Sequence, residues 1–498
     1  MSKFVQRRGI VSINESAVPL AALVLCLISV FMVSMRIVGY GFHPVDDALR
    51  HVAKVVSGKG WSEILLLRPE ITMDSHPGWH WILELFLRFT SGTPDDMLVF
   101  SVVALFLLVN MIPAFFFNRP EAWVLSLTVM VLVSFGPLFR TLYGRPFILS
   151  MFAVVVFCFT WKWVQEGSKT WLSVGLYCLV LTLSTFIHGA WYLFLLPLAA
   201  LALARRWRAL LFMTGATATG VCLGALLTGK PLMFLHQMTF HALEAFGQHD
   251  VVRQLVTEFR PFDGAPFVMM AVAMLLLWHL GRGAWDAKLI DNPVFYLGVM
   301  GWMLGFVAGR FWTDWGWVGI TVWCALVIEQ ILQTAFPPAS LRRLLMAALA
   351  CLAFFLALSN DRDSRWTGTG LTPWPEMSNP EQRPWLPEES GILYNDSMFL
   401  FYNVFYRNPH GPWRYALGFE PIWMPKEDLT AYRRIQLSPT KPESYRAWIE
   451  KMTKKDRIML IRTSKPDIPG VEWHEVVPTV WSGRLPLPSR HPNADAKQ

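Results

Sequence analysis

Apolar stretches alternate with short polar segments from residue 17 to residue 359, and this pattern limits the fold more than any other feature. A helix needs about 20 predominantly apolar residues to cross a bilayer. Most stretches reach or approach that length, while the shortest need packing against neighbouring helices or a thinned bilayer. They lie near 17–38, 97–117, 121–139, 146–164, 171–187, 190–204, 209–227, 263–280, 294–308, 317–336 and 344–359. Only 16% of the 498 residues are charged, against about 25% in soluble domains. We therefore expect a mainly α fold, a polytopic transmembrane helix bundle of about eleven spans.

The positions of the basic residues predict the sidedness of the bundle. Cytoplasmic loops are enriched in Lys and Arg. With the N-terminus inside, and with a first span that is retained, the eleven-span topology places five basic loops on the cytoplasmic side. These loops hold Arg119, Lys162, Lys169, Arg205, Arg206, Arg208, Arg282, Lys288, Arg342 and Arg343. The loops 39–75 and 228–262 and everything after about residue 360 then face outward. The stretch 76–90 would invert this pattern as a full crossing, so we expect it to be short, re-entrant or packed inside the bundle.

The C-terminal part of the chain differs in composition from the bundle 1–359. Residues 360–390 are rich in Pro and Trp and are typical of an irregular linker. Within 391–498, strand-like runs at Gly391–Tyr394, Arg457–Ile461 and Val471–Val477 alternate with helix-like segments such as Pro442–Met452. This pattern predicts a small extracytoplasmic α/β domain.

Several classes of function lack support in the sequence. All six cysteines fall in apolar stretches and no CxxC occurs, which argues against a disulfide framework or a zinc site. There is no Walker A loop, no GxGxxG that opens a helix after a strand, and no GxSxG. No basic cluster interleaves with aromatic residues, so no nucleic-acid partner is expected. The absence of outward cysteines favours a bacterial inner membrane.

The first outward loop carries two adjacent acidic residues, Asp46 and Asp47, just after the first span. One interpretation is a helix start, because the helix dipole favours acidic residues at the N-terminus. The other is functional: a carboxylate at the membrane surface acts as a general base or as a metal ligand. Both interpretations stay open on the residues alone.

This loop resembles that of the integral-membrane glycosyltransferases of the GT-C superfamily. The family pattern has Asp-Glu-Ala in the loop and a later His-Pro-Pro-Leu, and this chain has Asp46-Asp47-Ala48 and then His76-Pro77-Gly78-Trp79. The resemblance implies a GT-C-like bundle, a polyprenyl-phosphate-linked sugar as donor, and a glycan, lipid or protein acceptor. It assigns the catalytic acid to Asp46 and the second acidic position to Asp47. Asp replaces Glu, and Gly-Trp replaces Pro-Leu, so which Asp is the base stays open.

Further candidate side chains lie at the outward ends of the spans. Arg140 and Arg145 flank a polar turn. They are candidates for binding the donor phosphate, because a guanidinium matches the geometry of phosphate oxygens. The alternative is that their side chains extend to the lipid headgroups. His188 lies between two apolar runs. It is either a substrate-binding histidine or a structural one. Arg310 and Asp314 lie together in a short loop between two spans. One interpretation, which the resemblance implies, is that the basic residue binds a lipid phosphate; the other is that the two form an ion pair that only joins helix ends.

The 228–262 loop combines mixed charge with helical periodicity, which indicates a gating or acceptor-binding segment. Its ionisable residues are His236, His241, Glu244, His249, Asp250, Arg253, Glu258 and Arg260. His241 and His249 lack the i, i+4 spacing of a helical metal site.

The predicted reaction is transfer of a sugar to an acceptor hydroxyl with inversion. Asp46 or Asp47 removes the hydroxyl proton, and Arg145, Arg310 or a divalent cation (Mg or Mn), held by Asp46 or Asp47, stabilises the leaving phosphate. No other cofactor is expected. The main alternative is a secondary transporter or a lipid-linked glycan flippase, which calls for polar residues near the bilayer midplane and often internal repeats. A ligase or polymerase that moves whole glycans and a non-catalytic assembly protein are further alternatives.

Overall fold

The computed structural model describes residues 17–247, 255–283, 286–370 and 372–486. Three basic residues of the predicted cytoplasmic N-terminus lie outside this part, namely Lys3, Arg7 and Arg8. The same holds for His249, Asp250 and Arg253 of the second outward loop.

Each predicted apolar stretch contains a helix. Among the described residues, seven helices are long and apolar enough to cross a membrane: Ala17–Gly39, Pro94–Phe116, Phe147–Gln165, Thr170–His188, Trp207–Leu227, Gly309–Ala335 and Leu341–Ser359. Four apolar helices are shorter: Pro120–Val133, Trp191–Leu203, Pro266–Gly281 and Pro293–Gly305. The protein is a multi-pass membrane protein, and the count of eleven spans stays a prediction.

The helices of the described residues are numbered in chain order. They are α1 Ala17–Gly39, α2 Asp47–Ser57, α3 Trp61–Ile64, α4 Pro77–Thr90, α5 Pro94–Asn110, α6 Pro120–Val133, α7 Phe135–Arg140, α8 Phe147–Gln165, α9 Thr170–His188, α10 Leu195–Leu203, α11 Trp207–Leu227 and α12 Pro231–Gly247. They continue with α13 Pro266–Gly281, α14 Pro293–Gly305, α15 Trp317–Ala335, α16 Leu341–Ser359, α17 Met398–Arg407, α18 Lys426–Leu437 and α19 Arg446–Ile449. A helical turn at Gly309–Phe311 and a π-turn at Trp312–Gly316 lead into α15.

The long helices present large apolar side chains on their outer surface. Leu20 of α1 is 62% exposed, Leu211 of α11 is 73% exposed and Leu349 of α16 is 66% exposed. In water such a surface would be strongly unfavourable, whereas hydrocarbon solvates it as well as a protein core does. The exposed apolar faces therefore agree with lipid as the solvent of the bundle.

Close backbone approach joins α9 to α11. Gly220 and Gly224 lie four residues apart on one face of α11, as in the small-xxx-small pattern of membrane helices. A Cβ atom on Gly220 would lie 2.8 Å from the carbonyl oxygen of Cys178, and one on Gly224 would lie 2.6 Å from that of Thr182. Only glycine therefore allows this packing distance.

A buried ion pair lies at the end of the bundle that the charge pattern predicts to be cytoplasmic. The Arg343 Nε donates to Glu121 Oε1 at 2.7 Å, and both side chains are almost fully buried. Removing one partner of such a pair leaves an uncompensated buried charge. This contact therefore ties α16 to α6.

The stretch 76–90 forms α4, a helix of 14 residues that begins after His76. Gly78, Trp79 and Leu83 are buried, and Gly78 contacts the ring of Phe186. Trp81 on the other face is 54% exposed. The stretch is thus short and packed on one side, and whether it crosses the membrane stays a prediction.

A five-stranded sheet lies near the C-terminus. Its strands are β1 Ile392–Asn395, β2 Arg414–Tyr415, β3 Arg457–Ile461, β4 Glu472–Val477 and β5 Val480–Arg484, in the order β2-β1-β3-β5-β4. The first three strands in this order are parallel, and β5 pairs antiparallel with β3 and β4. The three predicted strand runs form β1, β3 and β4. Between 360 and 390 the described residues form only short 3₁₀ turns and irregular chain.

The sheet packs on the first outward loop. The Leu66 amide donates to the carbonyl of Tyr415 in β2 at 2.9 Å, and the Arg68 amide donates to the carbonyl of Trp423 at 2.9 Å. In addition, α17 packs against α2. The loop that carries Asp46 and the C-terminal sheet are therefore on the same side of the bundle.

Candidate functional site

A cavity of about 450 Å³ lies where the first outward loop, the ends of α8 and α9, the segment 255–260 and the C-terminal part meet. Six of the eight predicted site residues line it: Asp46, Asp47, His76, Arg145, His188 and Arg310. The other two, Arg140 and Asp314, do not line the cavity. They contact residues that do, since Arg140 pairs with Glu258 and Asp314 pairs with Arg310. The structure thus brings all eight into one region.

Asp46 is the N-cap residue of α2, so the helix-start interpretation describes its position. Its Oδ1 accepts from the Ala48 amide at 3.5 Å, a weak contact, and its Oδ2 lies 3.0 Å from Arg145 Nη2. Burial raises the pKa of Asp46, and Arg145 opposes this shift. A carboxylate with few strong donors and a raised pKa is suited to accept a proton.

Asp47 has a different environment, although it is the next residue. Burial alone would raise its pKa, but the guanidinium of Arg50 and the ring of His51 hold the pKa of Asp47 well below its usual value. Arg50 contacts both carboxylate oxygens, with Nη2 at 3.2 Å from Oδ2. Asp47 is therefore a firmly ionised partner in an ion pair, and a weaker base than Asp46.

A chain of buried histidines supports Asp47 from behind. The His51 Nε2 lies 3.4 Å from Asp47 Oδ2, and its Nδ1 lies 2.9 Å from His80 Nε2. The His80 Nδ1 in turn lies 2.5 Å from Asp74 Oδ2. Burial lowers the pKa of His51 to about 3, so its ring is neutral at physiological pH. These contacts fix the first turn of α2 against α4.

Glu258 is the centre of the basic side of the cavity, and the sequence did not single it out. Its Oε1 lies 2.5 Å from Arg145 Nη1 and 3.1 Å from Arg140 Nη1, and its Oε2 lies 4.0 Å from Arg310 Nε. Asp314 also accepts a hydrogen bond from Arg310 Nε at 3.0 Å, and its Oδ1 lies 3.0 Å from Arg140 Nη2 in an ion pair. The predicted Arg310–Asp314 pair exists, yet Arg310 also reaches the cavity.

Two histidines line the cavity between the acidic and the basic groups. The His188 Nδ1 lies 2.9 Å from Ser150 Oγ, and its Nε2 lies 3.4 Å from Arg310 Nη2. His76 is the N-cap residue of α4, and its Nδ1 lies 2.7 Å from Ser75 Oγ. The ring centroids of His76 and His188 are 5.8 Å apart. The N-terminus of α4 adds a partial positive charge next to these rings.

The C-terminal part supplies the remaining wall of the cavity, through residues that the sequence analysis did not name. Its lining residues include Tyr402 from α17 and Phe419, Glu420 and Trp423 from the segment after β2. Burial raises the pKa of Glu420 to about 7, and its Oε1 lies 3.9 Å from His241 Nε2. No local motif marks these residues, because their role arises only from the docking of the sheet.

The second outward loop is largely helical, since 231–247 form α12. The Trp423 Nε1 donates to His241 Nδ1 at 2.9 Å, and Glu244 pairs with Arg68 of the first loop. The helix thus closes the cavity against both the first loop and the C-terminal part. Its predicted gating or acceptor-binding role stays a prediction.

No family model matches the chain, and no curated protein matches it in sequence. Among solved structures, the chain is similar to the archaeal oligosaccharyltransferase AglB from Archaeoglobus fulgidus, in complex with an inhibitory peptide and a dolichol-phosphate. The TM-score is 0.50 with 11% sequence identity, and the match covers 89% of this chain and 69% of that chain. At this identity the likeness concerns the fold alone. This likeness in fold is consistent with the GT-C-like bundle that the resemblance of the first loop implies.

Proposed function

We propose that the protein is a membrane glycosyltransferase that moves a sugar from a polyprenyl-phosphate donor to an acceptor hydroxyl. The observation that carries this proposal is the meeting of Asp46 with Arg145 and Arg310 in one cavity at the helix ends. A base for the incoming hydroxyl and cations for the leaving phosphate are the two groups that such a transfer needs.

The donor phosphate is proposed to bind among Arg145, Arg310 and the N-terminus of α4. Guanidinium groups form forked, charge-assisted hydrogen bonds to phosphate oxygens. The helix N-terminus contributes a favourable dipole. His76 and His188 lie between these cations and complete the wall.

The lipid chain of the donor is proposed to leave the cavity beside Arg310. A small apolar pocket of about 40 Å³ adjoins the cavity there and shares His241, Phe259 and Arg310 with it. Leu193 and Trp315 are among its other lining residues. The similar solved structure holds a dolichol-phosphate, which agrees with a lipid-linked donor.

The acceptor is proposed to enter on the side of the C-terminal part and to lose its proton to Asp46. The hydroxyl oxygen then attacks the anomeric carbon from the side opposite the phosphate, which inverts that centre. Tyr402 and Glu420 line this side. The acceptor is a glycan, a lipid or a protein; the similar structure was solved with a peptide.

The test is transfer by the full-length chain in lipid nanodiscs. A panel of radiolabelled polyprenyl-phosphate hexoses and pentoses is incubated with the chain and with a membrane extract that supplies acceptors. Asp46→Asn should lower the rate by about 10²–10⁴-fold, the usual contribution of a general base, with protein yield intact.

The matched control is Glu84→Gln, which removes a carboxylate from the exposed Arg88 pair on α4 and should leave the rate unchanged. A fully active Asp46→Asn variant would rule out this residue as the base, and full activity in Asp47→Asn as well would refute the proposed mechanism.

A further inference from the structure

The basic side of the cavity is built around one carboxylate. Glu258 contacts Arg140 and Arg145, which flank one turn, and Arg310 from a distant segment of the chain. Arg145 and Arg310 line the cavity, whereas Arg140 stands behind them over the ring of Phe147, 4.7 Å from its centroid. Glu258 thus contacts all three guanidinium groups at the place where the leaving phosphate is proposed to lie, whereas Asp314 contacts two of them.

A divalent cation does not fit the residues at this place. Mg²⁺ needs several free oxygen ligands, normally carboxylates, but Asp46, Asp47 and Glu258 each already face a guanidinium. Glu420, which also lines the cavity, faces His241. Arg145 lies between Asp46 and Glu258, with Nη2 at 3.0 Å from the former and Nη1 at 2.5 Å from the latter. Asp47 is held by Arg50. Within the described residues, no three His, Cys, Asp or Glu side chains converge to hold a metal ion.

The charge change during transfer explains what the three guanidinium groups can do. The bond from the anomeric carbon to the phosphate oxygen breaks, and its electron pair stays on that oxygen. The acceptor oxygen forms the new bond, and its proton passes to Asp46. A phosphodiester with one negative charge thereby becomes a monoester with a second one. Fixed cations that face this oxygen stabilise the transition state more than the ground state.

Three buried donors of this cluster make no hydrogen bond within the described residues, namely Arg140 Nε, Arg140 Nη2 and Arg145 Nε, and of these two arginines only Arg145 lines the cavity. The Nε of Arg145 is buried and makes no hydrogen bond within the described part of the chain. A buried N–H without a partner destabilises the folded chain. A phosphate oxygen that draws Arg145 toward it would satisfy this donor and would release Asp46 from its ion pair.

We propose that Glu258 is a positioning residue that holds Arg140, Arg145 and Arg310 as a cradle for the donor phosphate, and that this cradle replaces a divalent cation. The inference rests on the proposed function and adds to it: sugar transfer by this protein needs no metal ion. Glu258 does not touch the reacting atoms and acts through the arginines.

The first experiment uses the unaltered full-length chain. Transfer from the radiolabelled donors, and binding of an undecaprenyl phosphate that carries no sugar, are measured after dialysis against EDTA and after addition of Mg²⁺ or Mn²⁺. We expect both to be the same within twofold in all buffers. Loss in EDTA with recovery in Mg²⁺ or Mn²⁺ would overturn the inference and leave the glycosyltransferase proposal standing. If the lipid phosphate binds in EDTA but no donor supports transfer, the proposed function fails while the cation-free phosphate site stands.

The second experiment changes Glu258. Glu258→Gln keeps the shape of the side chain and removes the charge that gathers the arginines. We expect kcat to fall about 10²-fold, affinity for undecaprenyl phosphate to fall at least tenfold, and the KM of the acceptor to stay unchanged. Glu258→Asp should recover part of the loss.

The control is again Glu84→Gln, and size-exclusion profiles report whether each variant folds. A Glu258→Gln variant that folds and keeps the wild-type affinity for undecaprenyl phosphate would refute the positioning role.

Discussion

Two adjacent aspartates at the start of α2 show how strongly position decides the chemistry of a residue. Asp46 and Asp47 have the same side chain, but Arg145 from a distant loop faces the first, while Arg50 and His51 of its own helix face the second. The sequence indicates an acidic helix start, and only the fold distinguishes the better base from the structural anion.

The raised pKa of Asp46 predicts a pH dependence of catalysis. Asp46 accepts a proton only as a carboxylate, so kcat/KM should rise with pH through the raised pKa of Asp46 and then level off. Burial raises this pKa and Arg145 lowers it. Arg145→Gln should therefore move the acidic limb to higher pH, besides lowering the rate. A pH profile of the residual activity that moves to lower pH would contradict the assignment of Asp46.

At the scale of elements, hydropathy predicts where the helices lie but not which of their faces meet. Gly220 and Gly224 of α11 stand out only when the backbone of α9 is seen to pass beside them. The strands show the same limit. The run that forms β3 is apolar enough to be recognised, whereas β2 is two residues long and is defined by its pairing with β1.

Side chains added at the α9–α11 contact should destabilise the bundle. Gly224→Val places carbon atoms where the Thr182 carbonyl lies, and overpacking of this kind typically costs about 1–3 kcal/mol. The melting temperature in detergent, followed by tryptophan fluorescence, should fall. Gly215→Ala on the same helix is the control, since a Cβ there has nothing within 4 Å. Equal melting temperatures for Gly224→Val and Gly215→Ala would argue against close contact of the two helices.

At the scale of the whole molecule, the positions of the site residues could be predicted in part. The resemblance and the charge pattern lead to residues at the outward helix ends, and the structure places these in one cavity. Glu258 and Glu420 could not be found in this way. Glu258 lies 118 residues from Arg140 and 113 from Arg145, and Glu420 reaches the cavity through the docking of the sheet.

The predicted sidedness can be measured by labelling introduced cysteines. Glu381→Cys lies in the predicted outward linker and Ser168→Cys in the predicted cytoplasmic loop after α8, and both positions are exposed. A membrane-impermeant maleimide added to intact spheroplasts should label the first variant and spare the second until the membrane is opened. The unaltered chain, whose cysteines lie in apolar stretches, gives the background. The opposite labelling pattern would show that the bundle has the inverse orientation in the membrane.

The contacts between the first outward loop and the C-terminal part have a consequence for biosynthesis. The Asn403 side chain donates to the carbonyl of Val45, 358 residues earlier in the chain, and Lys59 Nζ donates to the carbonyl of Gly411. While the ribosome is still translating the bundle, the C-terminal residues that contact the loop with Asp46 have therefore not yet been made. The cavity around Asp46 can close only after the segment with Asn403 and Gly411 has been made, so the bundle is already in the membrane before the cavity is complete. A nascent copy without this segment would lack one wall of the proposed site.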